Sequence, residues 1–290
     1  MNEPGNVHPR GKGYSSTLTI ACVTSNTRVP RPLLSAARLR EELIVPGGFW
    51  RDLRVVAETG STNSDLLAAA REGLAEGSVL VAETQTAGRG RMGRRWVSPP
   101  GAALMFSALL CPAAVPVARR GWVPLLTGVA VARAVRAEAA VDAWLKWPND
   151  IQVNGAKLAG ILAEQAGDAI VVGVGINVST RQEELPLAEA TSLALAGAAT
   201  DRGRLLVRVL AELERCYLTW TGQGGDADGC GLRAEYLRLC GTLGRLVRVS
   251  LPGGTTVTGA ASDVDPAGQL VVASSGGLVS VSAGDVIHVR

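Results

Sequence analysis

The chain has 290 residues, 47% hydrophobic and 19% charged, which is enough for one large domain with a small one or for two medium domains. A formal net charge of +3 is small for that length, so a protein that coats nucleic acid is disfavoured and any useful positive charge is local. The five cysteines (Cys22, Cys111, Cys216, Cys230 and Cys240) lack C-x-x-C spacing, which argues against a zinc site or a disulfide framework and fits a reducing cytoplasm.

Residues 1 to about 30 are rich in Pro, Gly, Ser, Thr and Asn without an apolar period, and predict a disordered tail. Leu18–Val23 is too short for the apolar core of a secretory signal. Leu33 to Leu43 carries a short helical pattern. Residues 1–48 thus read as a disordered or partly helical tail, and a winged helix, needing roughly 60 residues, does not fit there. The folded body is expected to start near Phe49.

Arg54–Glu58 reads as a strand. Thr62, with Asp65 three residues on, has capping-box spacing ahead of the apolar run Leu66–Ala70. A helix starting at Ser61–Asn63 turns its N–H groups and positive dipole end toward an anion or polar ligand, although an ordinary cap needs the same residues. Ser78–Thr84 is a strand that delivers Gln85. It runs into Gly88-Arg89-Gly90-Arg91-Met92-Gly93-Arg94-Arg95-Trp96, where glycines let backbone approach a ligand and guanidinium groups fork onto carboxylate or phosphate. The mutual repulsion of those arginines predicts a loop without one shape until an anion arrives. A solvated basic loop is the plain alternative.

Ala102–Leu110 is the next strand. It lies in the longest uncharged stretch, Val97–Ala118, whose Pro99, Pro100, Gly101, Pro112 and Pro116 exclude a membrane helix. Pro116–Ala139 is helical, with Pro124 marking a kink or a later start. In Trp144-Leu145-Lys146-Trp147-Pro148-Asn149-Asp150 a strand ends at Pro148 and Asn149-Asp150 turn. Asn154-Gly155 is a hairpin signal. On the return strand, period two puts Lys157 on a face with Ala159, Ile161 and Ala163, where it either snorkels or lines a pocket for a negative group. Ala169–Val178 is a buried strand whose Gly173 and Gly175 allow close approach, and Asn177 ends it. Leu205–Trp220 is an amphipathic helix capped by Thr200 or Asp201, Gly222–Gly231 a flexible link, and Leu232–Leu239 a last helix. From Gly244 onward, five short strands at Leu246–Leu251, Thr255–Asp263, Gln269–Ala273, Leu278–Val281 and Val286–Val289 suggest a small SH3-like barrel.

In order and spacing, the Gly88–Trp96 loop, the Trp147-Pro148-Asn149-Asp150 run and Lys157-Leu158-Ala159-Gly160 resemble the biotin protein ligase family, over about residues 50 to 290. The resemblance implies an α+β fold: a mixed β-sheet with flanking helices, like the class II aminoacyl-tRNA synthetases, over 49–240, with the SH3-like barrel over 241–290. It implies that biotin is activated with ATP to biotinyl-5′-adenylate and passed to a lysine of a biotin carboxyl carrier domain of an acyl-CoA or pyruvate carboxylase. Ser61, Thr62, Asn63 and Gln85 would meet the ureido head or border the tail of biotin. Arg89, Gly90 and Arg91 would close over its carboxylate and the α-phosphate. Arg94, Asn149 and Asp150 would meet the triphosphate, with Asp150 also a ligand of Mg²⁺. Trp96 would pack on the loop or the adenine, Lys157 would stabilise charge developing between carboxylate and phosphate, and Asn177 would lie near the adenylate. Asp150 has a second reading, orienting the incoming lysine amine. Arg91, Lys157 and Asp150 are the implied catalytic set. The implied protein is a cytoplasmic ligase without DNA or membrane partners, a monomer or weak homodimer. The competing readings are a ligase that also represses transcription, which needs a helix-turn-helix in residues 1–48, and a nucleic-acid-binding module, which needs aromatic residues interleaved through the basic loop where only Trp96 stands.

Overall fold

The computed structural model describes residues 1–2, 31–251 and 254–289. The expected tail, with Cys22 and Leu18–Val23, lies almost wholly outside the described residues, as do Pro252 and Gly253.

A seven-stranded mixed sheet carries the body, in the order β1-β2-β3-β7-β6-β5-β4. Its strands are β1 Asp52–Thr59, β2 Ser78–Gln85, β3 Ala103–Leu110, β4 Ala143–Lys146, β5 Asp150–Val153, β6 Ala156–Ala166 and β7 Ala169–Asn177. The β1 and β2 pair is parallel and every other pair is antiparallel. A parallel pair needs a crossover, and helix α2 (Thr62–Arg71) supplies it. Helices α3 (Trp122–Ala139) and α4 (Arg202–Gly222) cover one face, where Val79, Val81, Phe106, Val172, Val174 and Ile161 meet Leu126, Val129, Leu206 and Val209. The opposite face is covered only in part. There Leu66 and Leu67 of α2 bury Leu80, Leu109 and Val171, and the uncovered remainder is the floor of a cleft.

Local chemistry accounts for most boundaries. Asp201 caps α4 by accepting from the Arg204 amide at 2.8 Å. Pro124 falls in the first turn of α3, where a missing N–H is harmless. Asn154 and Gly155 both have positive φ (51° and 79°), as a two-residue hairpin turn demands.

The C-terminal sheet contains β8 (Leu246–Ser250), β9 (Thr256–Val264), β10 (Leu270–Ser274), β11 (Gly277–Val281) and β12 (Asp285–His288), all antiparallel in the order β11-β10-β9-β8-β12. It docks through the β9–β10 turn. Trp122 and Trp147 donate their indole N–H groups to the carbonyls of Pro266 (2.8 Å) and Gly268 (3.1 Å). A Cβ at Gly268 would lie 2.9 Å from Leu125 Cδ1, so the turn approaches α3 as closely as a glycine allows. The buried residues of both sheets form one continuous cluster.

Four expectations are corrected. The body begins at Arg31, not near Phe49. Helix α1 (Ala36–Leu43) buries Leu39 and Leu43, and the Leu34 amide and Pro32 carbonyl bond to Glu83 and Arg202, themselves a buried ion pair at 2.7 Å. The cap of α2 is Ser61, not Thr62, and Asp65 bonds the Thr59 hydroxyl instead of closing a capping box. Gly222–Gly231 is a set of hydrogen-bonded turns in which Asp226 Oδ1 accepts from the amides of Asp228 and Gly229, both at 3.0 Å. The fourth concerns β6. Ile151 pairs with Ala159 but Gln152 pairs with Lys157, so Leu158 is an extra, bulged residue. The bulge breaks the alternation: Ala159 and Ile161 face α3, while Lys157 turns to the opposite face with Gly160.

Candidate functional site

A cleft open to solvent lies over the uncovered sheet face, and every site residue named from the sequence borders it. Its floor includes Gly160, Gly173 and Gly175. A Cβ at Gly173 would lie 2.1 Å from Asn63 Oδ1, and one at Gly175 would lie 2.5 Å from the Trp96 indole. The strand glycines thus make room for two inserted side chains.

At one end, the start of α2 builds a buried polar network. Gln85 Oε1 accepts from the Thr62 amide at 2.8 Å and from the Thr62 hydroxyl at 3.2 Å. The Ser107 hydroxyl donates to Asn63 Oδ1 at 2.6 Å and lies 2.7 Å from Thr62 Oγ1. Asn63 Nδ2 donates to the Leu162 carbonyl at 3.1 Å and to Glu164 Oε2 at 3.0 Å. Ser61 lines this end, but its side chain is engaged in capping. A dense array of fixed donors and acceptors on a glycine floor suits a small polar head group.

The Arg/Gly loop forms a small hairpin across the mouth. Trp96 N–H bonds the Gly88 carbonyl at 2.9 Å and Gly90 N–H bonds the Arg94 carbonyl at 2.7 Å. Met92 (φ 56°) and Gly93 (φ 73°) turn the chain, and Met92 is 60% exposed. The arginines do not wait for an external anion. Arg89 pairs with Glu164 at 2.8 Å, Arg94 with Asp285 of β12, and Arg95 donates to the Thr86 carbonyl at 2.8 Å. Arg91 donates to Asn149 Oδ1 at 3.0 Å, and burial pushes its guanidinium below its ordinary value against the opposing pull of Asp150 and Asp285. Trp96 lies on Gly160 and Gly175, and its indole N–H is buried with no acceptor among the described residues.

At the other end stands a cation. Lys157 Nζ is 2.7 Å from Asp150 Oδ1, with both side chains partly exposed. The bulge aims Lys157, and its backbone is held by the 179–191 segment: its amide bonds the Glu189 carbonyl and its carbonyl receives the Thr191 amide, both at 2.8 Å. Asn177, buried, donates to the Thr191 carbonyl at 3.0 Å. Asn149 donates to the Ile161 carbonyl at 3.1 Å while accepting from Arg91. Asp150 is the one carboxylate free of an arginine here, and no group of three or more His, Cys, Asp or Glu suited to a metal exists among the described residues. That donor set fits an ion arriving with a polyphosphate, since Mg²⁺ commonly takes one or two carboxylates and fills its shell with phosphate and water.

Sequence reasoning missed Ser107, Met105, Glu164, Asp285 and the 186–190 segment, which also border or brace the cleft. Ser107 carried a signal, a polar residue inside an otherwise apolar strand. The others depend on pairings between distant elements. No helix among the described residues is long and apolar enough to cross a membrane.

Comparison with known proteins agrees with this architecture. Residues 56–180 match the Biotin/lipoate A/B protein ligase family, and residues 242–289 match the Biotin protein ligase C terminal domain. The chain is 46% identical to the biotin–[acetyl-CoA-carboxylase] ligase of Mycobacterium tuberculosis, over 90% of this chain and 97% of that protein. It is 34% identical to the bifunctional ligase/repressor of Escherichia coli K12, over 92% of this chain and 78% of that protein. The structure of the biotin protein ligase from Aquifex aeolicus in complex with biotin and ATP superposes with a TM-score of 0.69 at 28% identity, covering 83% of this chain and 100% of that one. The chain therefore belongs to the biotin protein ligase family.

Proposed function

We propose that the protein activates biotin with ATP to biotinyl-5′-adenylate and pyrophosphate, then transfers the biotinyl group to one lysine of a biotin carboxyl carrier domain. The observation that carries this reading is the polarity of one cleft. A neutral hydrogen-bonding end built from Thr62, Asn63, Gln85 and Ser107 stands opposite a cationic end built from Arg91 and Lys157, over a floor that only glycine permits. Biotin has matching ends, a ureido head and a carboxylate.

In the first step a biotin carboxylate oxygen attacks the α-phosphorus, and the bond to pyrophosphate breaks. Lys157 and Arg91 place fixed positive charge where negative charge concentrates between carboxylate and phosphate. Asp150 holds Lys157 in place, and Trp96 offers a flat face to the adenylate. Mg²⁺ accompanying ATP would be held by Asp150, and would neutralise phosphate charge. In the second step the carrier amine attacks the acyl carbon and AMP leaves. Asp150 has an alternative role in this step, orienting the carrier amine in place of holding the ion. Residues 31–240 act as the catalytic domain and 241–289 as an accessory domain.

The deciding experiment is incorporation of biotin into a purified carrier domain with MgATP, alongside biotin-dependent ATP–pyrophosphate exchange. Both are expected, and absence of both refutes the reading.

A further inference from the structure

Glu164 puts a negative charge beside the cleft proposed as a site for a carboxylate and a polyphosphate, against its lining residues Arg89 and Asn63. Such a charge opposes anionic ligands unless it has another task. Its two oxygens have different partners. Oε1 holds Arg89 of the loop at 2.8 Å, and Oε2 accepts from Asn63 of the head-group network at 3.0 Å. Arg89 also donates to Ser64 Oγ at 3.3 Å, one residue beyond Asn63 on α2. Asn63 in turn accepts from the buried Ser107 hydroxyl, so the chain of contacts runs unbroken from the sheet interior to the loop. The Glu164 side chain is 20% exposed against 49% for Arg89, which places the carboxylate as the fixed half of the pair.

We propose that Glu164 is a positioning residue, a latch that ties the Arg89 end of the loop to the head-group network and so couples filling of that network to closure of the loop. It does not touch the reacting atoms. The inference rests on the biotin-activating reading of the cleft. It carries a distinctive expectation: removing the latch weakens retention of what binds beneath the loop and leaves the chemical step alone.

The test compares wild type with Glu164→Gln, Arg89→Ala and the double variant. Glu164→Gln keeps an acceptor for Asn63 but loses the charge that holds Arg89, and a thermal melt within a few degrees of wild type establishes folding. For a partly exposed pair, biotin KM is expected to rise about fivefold, and release of preformed biotinyl-5′-adenylate to quicken by a similar factor, with kcat at saturating biotin within about twofold. Adding Glu164→Gln to Arg89→Ala should change release no further, because its partner is already gone. Equal effects of Glu164→Gln in both backgrounds, or a wild-type release rate in the single variant, overturn the latch. A fall in kcat with unchanged biotin KM also overturns it, assigning Glu164 to the chemistry. Wild type inactive in pyrophosphate exchange refutes the underlying reading instead, so the two failures are distinguishable.

Discussion

Glycine at 175 gives the Trp96 indole a place to lie, because a Cβ there would stand 2.5 Å from the ring. Gly175→Ala is therefore expected to lift Trp96 off the floor and raise ATP KM about tenfold or more, while the melt shifts little because the displaced ring borders an open cleft; steady-state kinetics with a melting curve check both. Lys157 is the sharper case. Its 2.7 Å contact with Asp150 is partly exposed and screened, so it contributes roughly 1 kcal/mol or less to stability. In the proposed reaction its charge acts on the bound reactants instead. Lys157→Ala is expected to fold normally and lose on the order of 10²–10³ in adenylation rate, measured by pyrophosphate exchange. The type of residue was legible from sequence, as a lysine in an apolar strand. Its direction was not, because strict alternation put it with Ile161, and only the bulge at Leu158 turns it to the cleft.

Among the elements, the 179–191 segment shows how a connection braces a site. It holds the Lys157 backbone from both sides and is itself pinned by Glu184. Burial alone would push that carboxyl up, but the Arg181 amide and the Arg31 and Arg181 guanidinium groups outweigh it and hold it at about 2, below its ordinary 4.5. The folded state thus prefers the ionised form, so this contribution is complete above about pH 4.5 and fades as pH falls toward 2. Glu184→Gln is expected to flatten the acid loss of stability within that window, read from melting temperature against pH, with little effect near neutrality beyond the lost pairs. The arginine loop is a second such element. Sequence reasoning foresaw its repulsion but not its remedy, because Glu164 and Asp285 come from β6 and β12, far along the chain.

At the scale of the molecule, the two sheets share one core. Trp122 is fully buried and bonds the Pro266 carbonyl across the boundary. Trp122→Ala is expected to cost about 3–5 kcal/mol and to lower a single transition, with no separate melting of the C-terminal sheet; calorimetry of the full chain checks it. The same boundary reaches the site, since Thr242 accepts from the Trp147 amide at 3.1 Å and lies 3.3 Å from His288 of β12. The sequence by itself determined the elements and the chemistry. Apolar periods, caps and turn residues act over a few neighbours, and the glycine, arginine and lysine motifs keep their character wherever the chain carries them. The tertiary structure decided which side chains meet: the face Lys157 occupies, the carboxylates that neutralise the loop, the Ser107–Asn63–Glu164 chain beneath it, and the anchoring of residues 31–43 on the body. Those outcomes depend on strand register and on contacts between elements distant in sequence, where no local pattern carries the information.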